Sequence, residues 1–435
     1  MSKLTRRELI KWFGASAMAS TGLLGATSKA YAKNTAHIVI VGGGIGGASF
    51  AKYMRLANSD VKITMIEPHP TYTFCPGSNE ILSGHETLEN LTVNYQTLKS
   101  RFNVDVVQDI ATEINYEKHQ ISTLKGQVID YDKLVVSPGP DFDYQFVEGY
   151  NATLAASDFP HAWKAGPQTT KLKQQIDALP QGGTLLISSP RIPYRCPPAP
   201  YERASFVANM MKNTNPTAKI LILDSKDDYV FKDHFEHYWK KHHGFGTDNS
   251  RIEWVQAKKG GIVTALNTQN KSVKTANGDI IKADVINIIP EEKAGRFAIE
   301  NGLALGSNWV PYEPKTFASK VHPDVYVIGD MVDSPMPKTG YVASNQAKVV
   351  AAAINDLLAG REPGTPFITN NCVAMAGEDY GMTITATFRF TDDAKQKGYA
   401  TQVRTSAVSD NPYTNRIRAE VAKNWQRTFR KDMFS

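Results

Sequence analysis

Short runs rich in Val, Ile and Leu recur along the chain, separated by glycine-rich or polar turns. The first, His37–Val41, reads as a buried strand. It leads into Gly42-Gly43-Gly44-Ile45-Gly46-Gly47, a helical stretch over 48–56, and a second strand over 61–66 that stops at Glu67. The same alternation returns as a strand at 184–188, a helix at 201–212 and a strand at 219–223 closed by Asp224. Further strands are predicted over 131–139, ending in the turn Pro138-Gly139, and over 325–328, ending in Gly329-Asp330. Thr339-Gly340 precede a helical run over 341–358, and residues 161–181 read as a polar helix. Beyond Arg361 the pattern changes: residues 381–390 alternate polar and apolar, the period of antiparallel strands. Strands alternating with helices predict parallel sheets. The expected fold class is therefore α/β, with two Rossmann-like units and a C-terminal α+β part.

Composition narrows the picture. The chain has 435 residues, 41% hydrophobic and 21% charged, which excludes a disordered or collagen-like polymer. The net charge is +6, and residues 1–32 hold much of it: five basic residues to one acid. The remainder shows no basic stripe of the kind nucleic acid requires. Within 1–32, Thr5-Arg6-Arg7 precede a weakly apolar run over 12–26, and Ala30-Tyr31-Ala32 offer a cleavage site. That run is shorter than the ~20 residues that span a bilayer. It reads as a twin-arginine signal, which predicts export in the folded state and a periplasmic protein beginning near Lys33. No later apolar segment is long enough to cross a membrane.

The glycine segment carries the first chemistry. Gly42, Gly44 and Gly47 satisfy G-x-G-x-x-G between a strand and a helix, and Glu67 lies 20 residues past Gly47. Glycines allow the tight turn and the close approach of a pyrophosphate; the acid suits a ribose hydroxyl. The turn at Gly139 and the Gly329-Asp330 strand end resemble the additional FAD fingerprints of two-dinucleotide-domain flavoproteins. In those, the matching Asp330 holds the ribityl chain. Thr339-Gly340 would aim a helix N-terminus at the flavin, favouring its anionic reduced form.

The second unit lacks the fingerprint. Its loop, residues 189–200, has five prolines and no glycine. Proline removes amide donors and fixes φ, so nicotinamide is not the expected electron donor. Three cysteines exclude a disulfide scaffold. Cys196 lies in the proline loop, and Cys372 follows 176 residues later in Asn370-Asn371-Cys372. Their spacing excludes a C-x-x-C metal pair. They suit either a plain structural disulfide or, beside flavin, a redox disulfide open to a hydrosulfide nucleophile. Cys75, in Tyr72-Thr73-Phe74-Cys75-Pro76, is either a small buried hydrophobe or a covalent flavin anchor. His234, His237, His242 and His243 with Glu236 lack H-E-x-x-H and are flanked by lysines. They read as a solvated helix face, and no metal site is expected.

The mature chain resembles the flavoprotein subunit of flavocytochrome c sulfide dehydrogenase nearly end to end. The resemblance rests on the twin-arginine signal, glycines 42–47, Tyr72-Thr73-Phe74-Cys75, Cys196-Pro197-Pro198-Ala199-Pro200-Tyr201-Glu202, Asn370-Asn371-Cys372 and the Asp432-Met433-Phe434 tail. It implies FAD bound by a thioether at Cys75, a redox disulfide between Cys196 and Cys372, and Glu202 as proton acceptor. It also implies an FAD/NAD(P)-type fold divided into 1–32, the signal; 33–150 and 291–360, the FAD-binding segments; 151–290, the vestigial NAD-like unit; and 361–435, an interface domain. The chain has no C-x-x-C-H, so haem would lie on a c-type cytochrome partner. Two other readings are a sulfide:quinone reductase, docking through the basic, aromatic tail 423–431, and a non-catalytic FAD-binding partner of a cytochrome.

Overall fold

The apolar runs become strands that are covered on both faces. In β1 (His37–Val41), residues Ile38, Val39 and Ile40 have no exposed surface, as expected at the centre of a parallel sheet. A computed structural model describes residues 35–435; the signal over 1–32 lies outside the described residues.

From β1 the chain enters α1 (Ile45–Ala57), β2 (Lys62–Ile66), the short α2 (Ser78–Leu82), β3 (Val104–Val107) and β4 (Lys133–Val136). β1 pairs in parallel with β2 on one side, Val39 opposite Thr64, and with β4 on the other, Val39 opposite Leu134. A helix α3 (Pro167–Asp177) packs on α2 and leads to the second unit. This unit comprises β5 (Thr184–Ser189), α4 (Ala199–Thr214), β6 (Lys219–Asp224), α5 (Lys232–His243), β7 (Ile252–Val255) and β8 (Val285–Ile288). The strand order is β7-β6-β5-β8, again parallel.

The chain then returns to the first sheet as β9 (Val325–Val327), which pairs with β4 and completes the order β9-β4-β1-β2-β3. Sheet order reverses at β1, so the crevice beyond the carboxyl ends of β1, β4 and β9 is where such a sheet takes its ligand. α6 (Gly340–Leu358) follows, packed along α1. The chain ends in the antiparallel strands β10 (Phe367–Gly377), β11 (Tyr380–Phe390) and β12 (Tyr399–Thr405) and the long helix α7 (Pro412–Phe434). Ile368, Ala386 and Phe388 enter the core of the first sheet; Ala374, Ala376 and Met382 enter that of the second. The third sheet thus ties the two units together. No helix among the described residues is long and apolar enough to cross a membrane.

α5 departs from the expected solvated face. Phe235, Tyr238 and Trp239 form its buried stripe at helical spacing, and they draw His234 and His243 in with them. His234 Nε2 meets the Ser406 carbonyl at 2.7 Å, and His243 Nε2 meets Asn209 Oδ1 at 3.1 Å. Burial, helped by the Arg251 charge, pushes His243 down to about 3, which keeps it neutral.

Candidate active site

The glycine loop is built for close approach. Gly42 has φ +95°, and a Cβ there would lie 2.4 Å from the Ser137 carbonyl oxygen at the end of β4. A Cβ on Gly47 would lie 1.9 Å from the Gly42 carbonyl oxygen. α1 opens at Gly44 with no side-chain cap, leaving its first amides to a ligand. Glu67 Oε2 accepts the Gly43 N–H at 2.8 Å, which sets the acid beside the loop. The Tyr95 hydroxyl, packed under Gly43, is buried with no hydrogen-bond partner among the described residues. Glycines, open amides and a strand-end acid are the donor set of a dinucleotide, and the site fits FAD.

The flavin-side residues meet at the same crevice. Gly139 and Gly329 take φ +79° and +88° at the ends of β4 and β9, a turn that only glycine makes without strain. Thr339 is the N-cap of α6, accepting the Val342 N–H at 3.2 Å and donating to Asn370 Oδ1 at 3.0 Å. A Cβ on Gly340 would meet Ile45 Cδ1 at 2.6 Å, so the N-termini of α1 and α6 converge. Asp330 Oδ2 accepts from Arg195 Nε at 2.9 Å. Cys75 is half-buried near Tyr72 and Arg195.

Cys196, Cys372 and Glu202 come together although 176 residues separate the two thiols. Cys196 stands just ahead of α4 with φ +55°, and its N–H binds the Lys338 carbonyl at 2.9 Å. Lys338 adjoins Thr339, whose hydroxyl reaches Asn370, two residues before Cys372 on β10. Glu202, in the first turn of α4, closes the ring: its Oε1 accepts the Met375 N–H from β10 at 3.0 Å. Its Oε2 accepts from Asn79 Nδ2 on α2, also at 3.0 Å. All three cysteines are free thiols in this structure.

The electrostatics follow from burial. Burial first, then the Cys372 sulfur and the Glu202 carboxylate, push the Cys196 thiol well above its ordinary range, while Arg195 pulls the other way. Burial and Glu202 push Cys372 up to about 12. Burial raises Glu202 to about 7 against the opposing hydrogen bonds from Asn79 and Met375. A carboxyl poised there exchanges protons near neutral pH. Beside it the buried Arg203 guanidinium binds Asn79 Oδ1, Asn287 Oδ1 and the carbonyls of His161 and Ala162.

The second unit's own crevice is filled. Asp224, the counterpart of Glu67, is wholly buried. Its Oδ2 accepts from the Tyr201 hydroxyl at 2.5 Å and from Trp254 Nε1 at 2.9 Å; its Oδ1 pairs with Lys226 at 2.6 Å. Arg191 is held by Glu291 at 3.0 Å. Among the described residues, the histidine and carboxylate atoms that converge are those of His119, His322 and Asp324, at the amino ends of β4 and β9. That is the far end of the sheet from the cleft. Asp324 there pairs with Lys133, and its N–H binds His322 Nδ1.

Sequence reasoning missed Asn79, Arg203 and Glu292. Glu292 carried a signal, an acid just past an apolar strand; Asn79 carried none, because its partner is 123 residues away.

Comparison with known proteins agrees with this fold. Residues 169–290 match the central region of the sulfide dehydrogenase [flavocytochrome c] flavoprotein chain, and residues 364–434 match the flavocytochrome c sulphide dehydrogenase flavin-binding region. Residues 36–169 match pyridine nucleotide-disulphide oxidoreductases. The sulfide dehydrogenase flavoprotein chain of Chlorobaculum thiosulfatiphilum is 45% identical over 47 residues, 98% of that sequence and 11% of this chain. The sulfide-quinone reductase of Aquifex aeolicus is 24% identical over 369 residues, 79% of this chain and 82% of that one. The crystal structure of the Aquifex sulfide:quinone oxidoreductase superposes with a TM-score of 0.69 at 19% identity, over 92% of each chain, and shares the two-dinucleotide-binding fold. With its central and flavin-binding regions both matched, the chain belongs to the flavoprotein chains of flavocytochrome c sulfide dehydrogenase, a family of FAD-dependent, sulfide-oxidising oxidoreductases.

Proposed function

We propose that this chain oxidises hydrosulfide through a Cys196–Cys372 redox disulfide and FAD, and passes electrons to a c-type cytochrome subunit in the periplasm. The observation that carries the reading is the meeting of two sulfurs and one proton-accepting carboxyl where α4, α6 and β10 join. Hydrosulfide attacks one sulfur of the disulfide. The Cys196–Cys372 bond breaks, a persulfide bond forms, and the other sulfur leaves as a thiolate holding the electron pair. Glu202 takes the hydrosulfide proton. FAD, when bound, supplies the two-electron sink and releases electrons singly.

Gly42, Gly44, Gly47 and Glu67 would hold the adenine-side diphosphate and ribose. Gly139, Gly329, Asp330, Thr339 and Gly340 would hold the flavin side, with Cys75 as its thioether anchor. The α6 N-terminus favours negative charge there. The absence of C-x-x-C-H from the sequence supports a haem carried by the partner, and Arg6-Arg7 support export.

The test is substitution. In C196S and in C372S, sulfide-driven loss of flavin absorbance falls to background while dithionite still bleaches the flavin. Retention of the sulfide response in either variant removes the disulfide mechanism. A quinone acceptor is the second reading. It is favoured by the likeness to the Aquifex reductase and by Tyr413, Ile417 and Val421, an exposed apolar stripe on the basic helix α7. Turnover with a soluble quinone but not with cytochrome c would select it.

A further inference from the structure

The proline loop of the second unit is fastened to the flavin-side segment. The Arg195 N–H binds Glu292 Oε2 at 2.9 Å, its Nε binds Asp330 Oδ2 at 2.9 Å, and the Cys196 N–H binds the Lys338 carbonyl at 2.9 Å. Three bonds from two adjacent residues fix the backbone that gives Cys196 its positive φ. Asp330 pairs with the Arg195 guanidinium and Glu292 accepts its backbone N–H, while both acids also face the buried Lys338; the second Glu292 oxygen, Oε1, is buried with no partner among the described residues.

Arginine keeps its charge in such a place. Burial opposes the charge, but Asp330, the Cys75 sulfur and Glu292 outweigh it and hold the guanidinium above its ordinary range. Burial pushes Glu292 up to about 7, with Arg195 opposing, so it is ionised at about pH 8. A fixed cation therefore sits among the ribityl-side acid, the flavin-anchor cysteine and the redox cysteine. A nucleotide-binding loop would turn such a charge toward a second cofactor; here it pairs with Asp330 at the end of β9.

We propose that Arg195 is a positioning residue, resting on the sulfide and FAD reading above: its backbone sets Cys196, and its charge, balanced by Glu292, sets the reduction potential of the flavin that Asp330 helps to hold. A cation near a site that gains negative charge favours reduction, and removing it reverses the effect.

The test is a mediated potentiometric titration of the flavin-loaded protein at about pH 8, in wild type, R195Q, R195K and E292Q. R195Q lowers the equilibrium constant for flavin reduction about tenfold, ~30 mV for a two-electron couple. E292Q shifts it in the opposite direction, and R195K, which keeps the charge, stays near wild type. Hydrogen exchange of the loop around Cys196 quickens in R195Q, because the bonds to Asp330 and Lys338 loosen. If R195Q does not retain flavin, the opposite shift in E292Q and the unchanged R195K carry the test. Potentials that move the same way in R195Q and E292Q, or that do not move, overturn the proposal. The titration uses no sulfide, so loss of the sulfide reading leaves it standing; flat potentials with intact sulfide oxidation sink Arg195 alone.

Discussion

The two βαβ units share a topology and differ in what fills the turn after their first strand. In the first, β1 runs into glycines that lead to the uncapped first turn of α1, and Glu67 lies beside them, accepting the N–H groups of Gly43 and His69. In the second, β5 runs into prolines, and Asp224 at the matching strand end is wholly buried under Tyr201, Trp254 and Lys226. Tyr201 also stacks on Tyr229 at 3.7 Å, so aromatic rings occupy the space beside that acid. Parallel strands and a crossover helix make a place for a dinucleotide; the turn residues decide whether one enters. In place of glycines, the second unit carries Arg195 and Cys196 in its turn and Glu202 in the first turn of the helix that follows.

The comparison is open to breakage from both sides. The largest effect is expected in the first unit. G47A places a methyl 1.9 Å from the Gly42 carbonyl oxygen, and the purified protein should lose most of its flavin, read as the FAD-to-protein absorbance ratio. Full occupancy in G47A would mean that the loop does not hold the cofactor.

The next effect belongs to Glu202. E202Q should slow sulfide-driven flavin reduction by ~10²–10⁴-fold, the usual scale of a lost general base. In wild type the rate should rise with pH as Glu202 loses its proton through about 7 and as hydrogen sulfide becomes hydrosulfide, and E202Q should remove the Glu202 share of that limb and leave the share of the sulfide. The stability sign is fixed as well. The folded pKa lies above the unfolded ~4.3, so the contribution of this group is full below ~4.3 and is lost as pH rises through about 7. Urea melts of wild type and E202Q across that range should show the difference.

In the second unit the matching acid should matter for stability alone. D224A leaves Lys226 buried without its partner and should cost ~3–5 kcal/mol in a urea melt, with sulfide kinetics unchanged in the folded fraction. A kinetic defect without destabilisation would return Asp224 to a ligand-binding role. The smallest effect is the cap: T339A should cost ~1 kcal/mol, since it removes the acceptor of the Val342 N–H.

The first unit was legible in the sequence because its information is local. Strand, glycines, helix and Glu67 lie within 31 consecutive residues, from His37 to Glu67, and the steric demands of Gly42 and Gly47 arise from the turn itself. The proline loop was legible for the same reason. The residues that set up the chemistry around the cysteines were not. Glu202 draws its two hydrogen bonds from Asn79 and Met375, 123 and 173 residues away, and Arg195 finds Asp330 across 135. No periodicity records such pairings; they exist only once the third sheet has closed both units together. The histidines of α5 show the converse. Their charge pattern read as solvent-facing, but the stripe of Phe235, Tyr238 and Trp239 decided which face went inside.

The most direct measurement is anaerobic flavin absorbance of the purified protein after addition of sulfide, with NADH added to a separate sample. Rapid bleaching by sulfide and none by NADH is the predicted result, from a first unit that holds flavin and a second that has exchanged its nucleotide for a cysteine. Bleaching by NADH and not by sulfide would contradict it, and would mean that the proline loop still admits a nicotinamide.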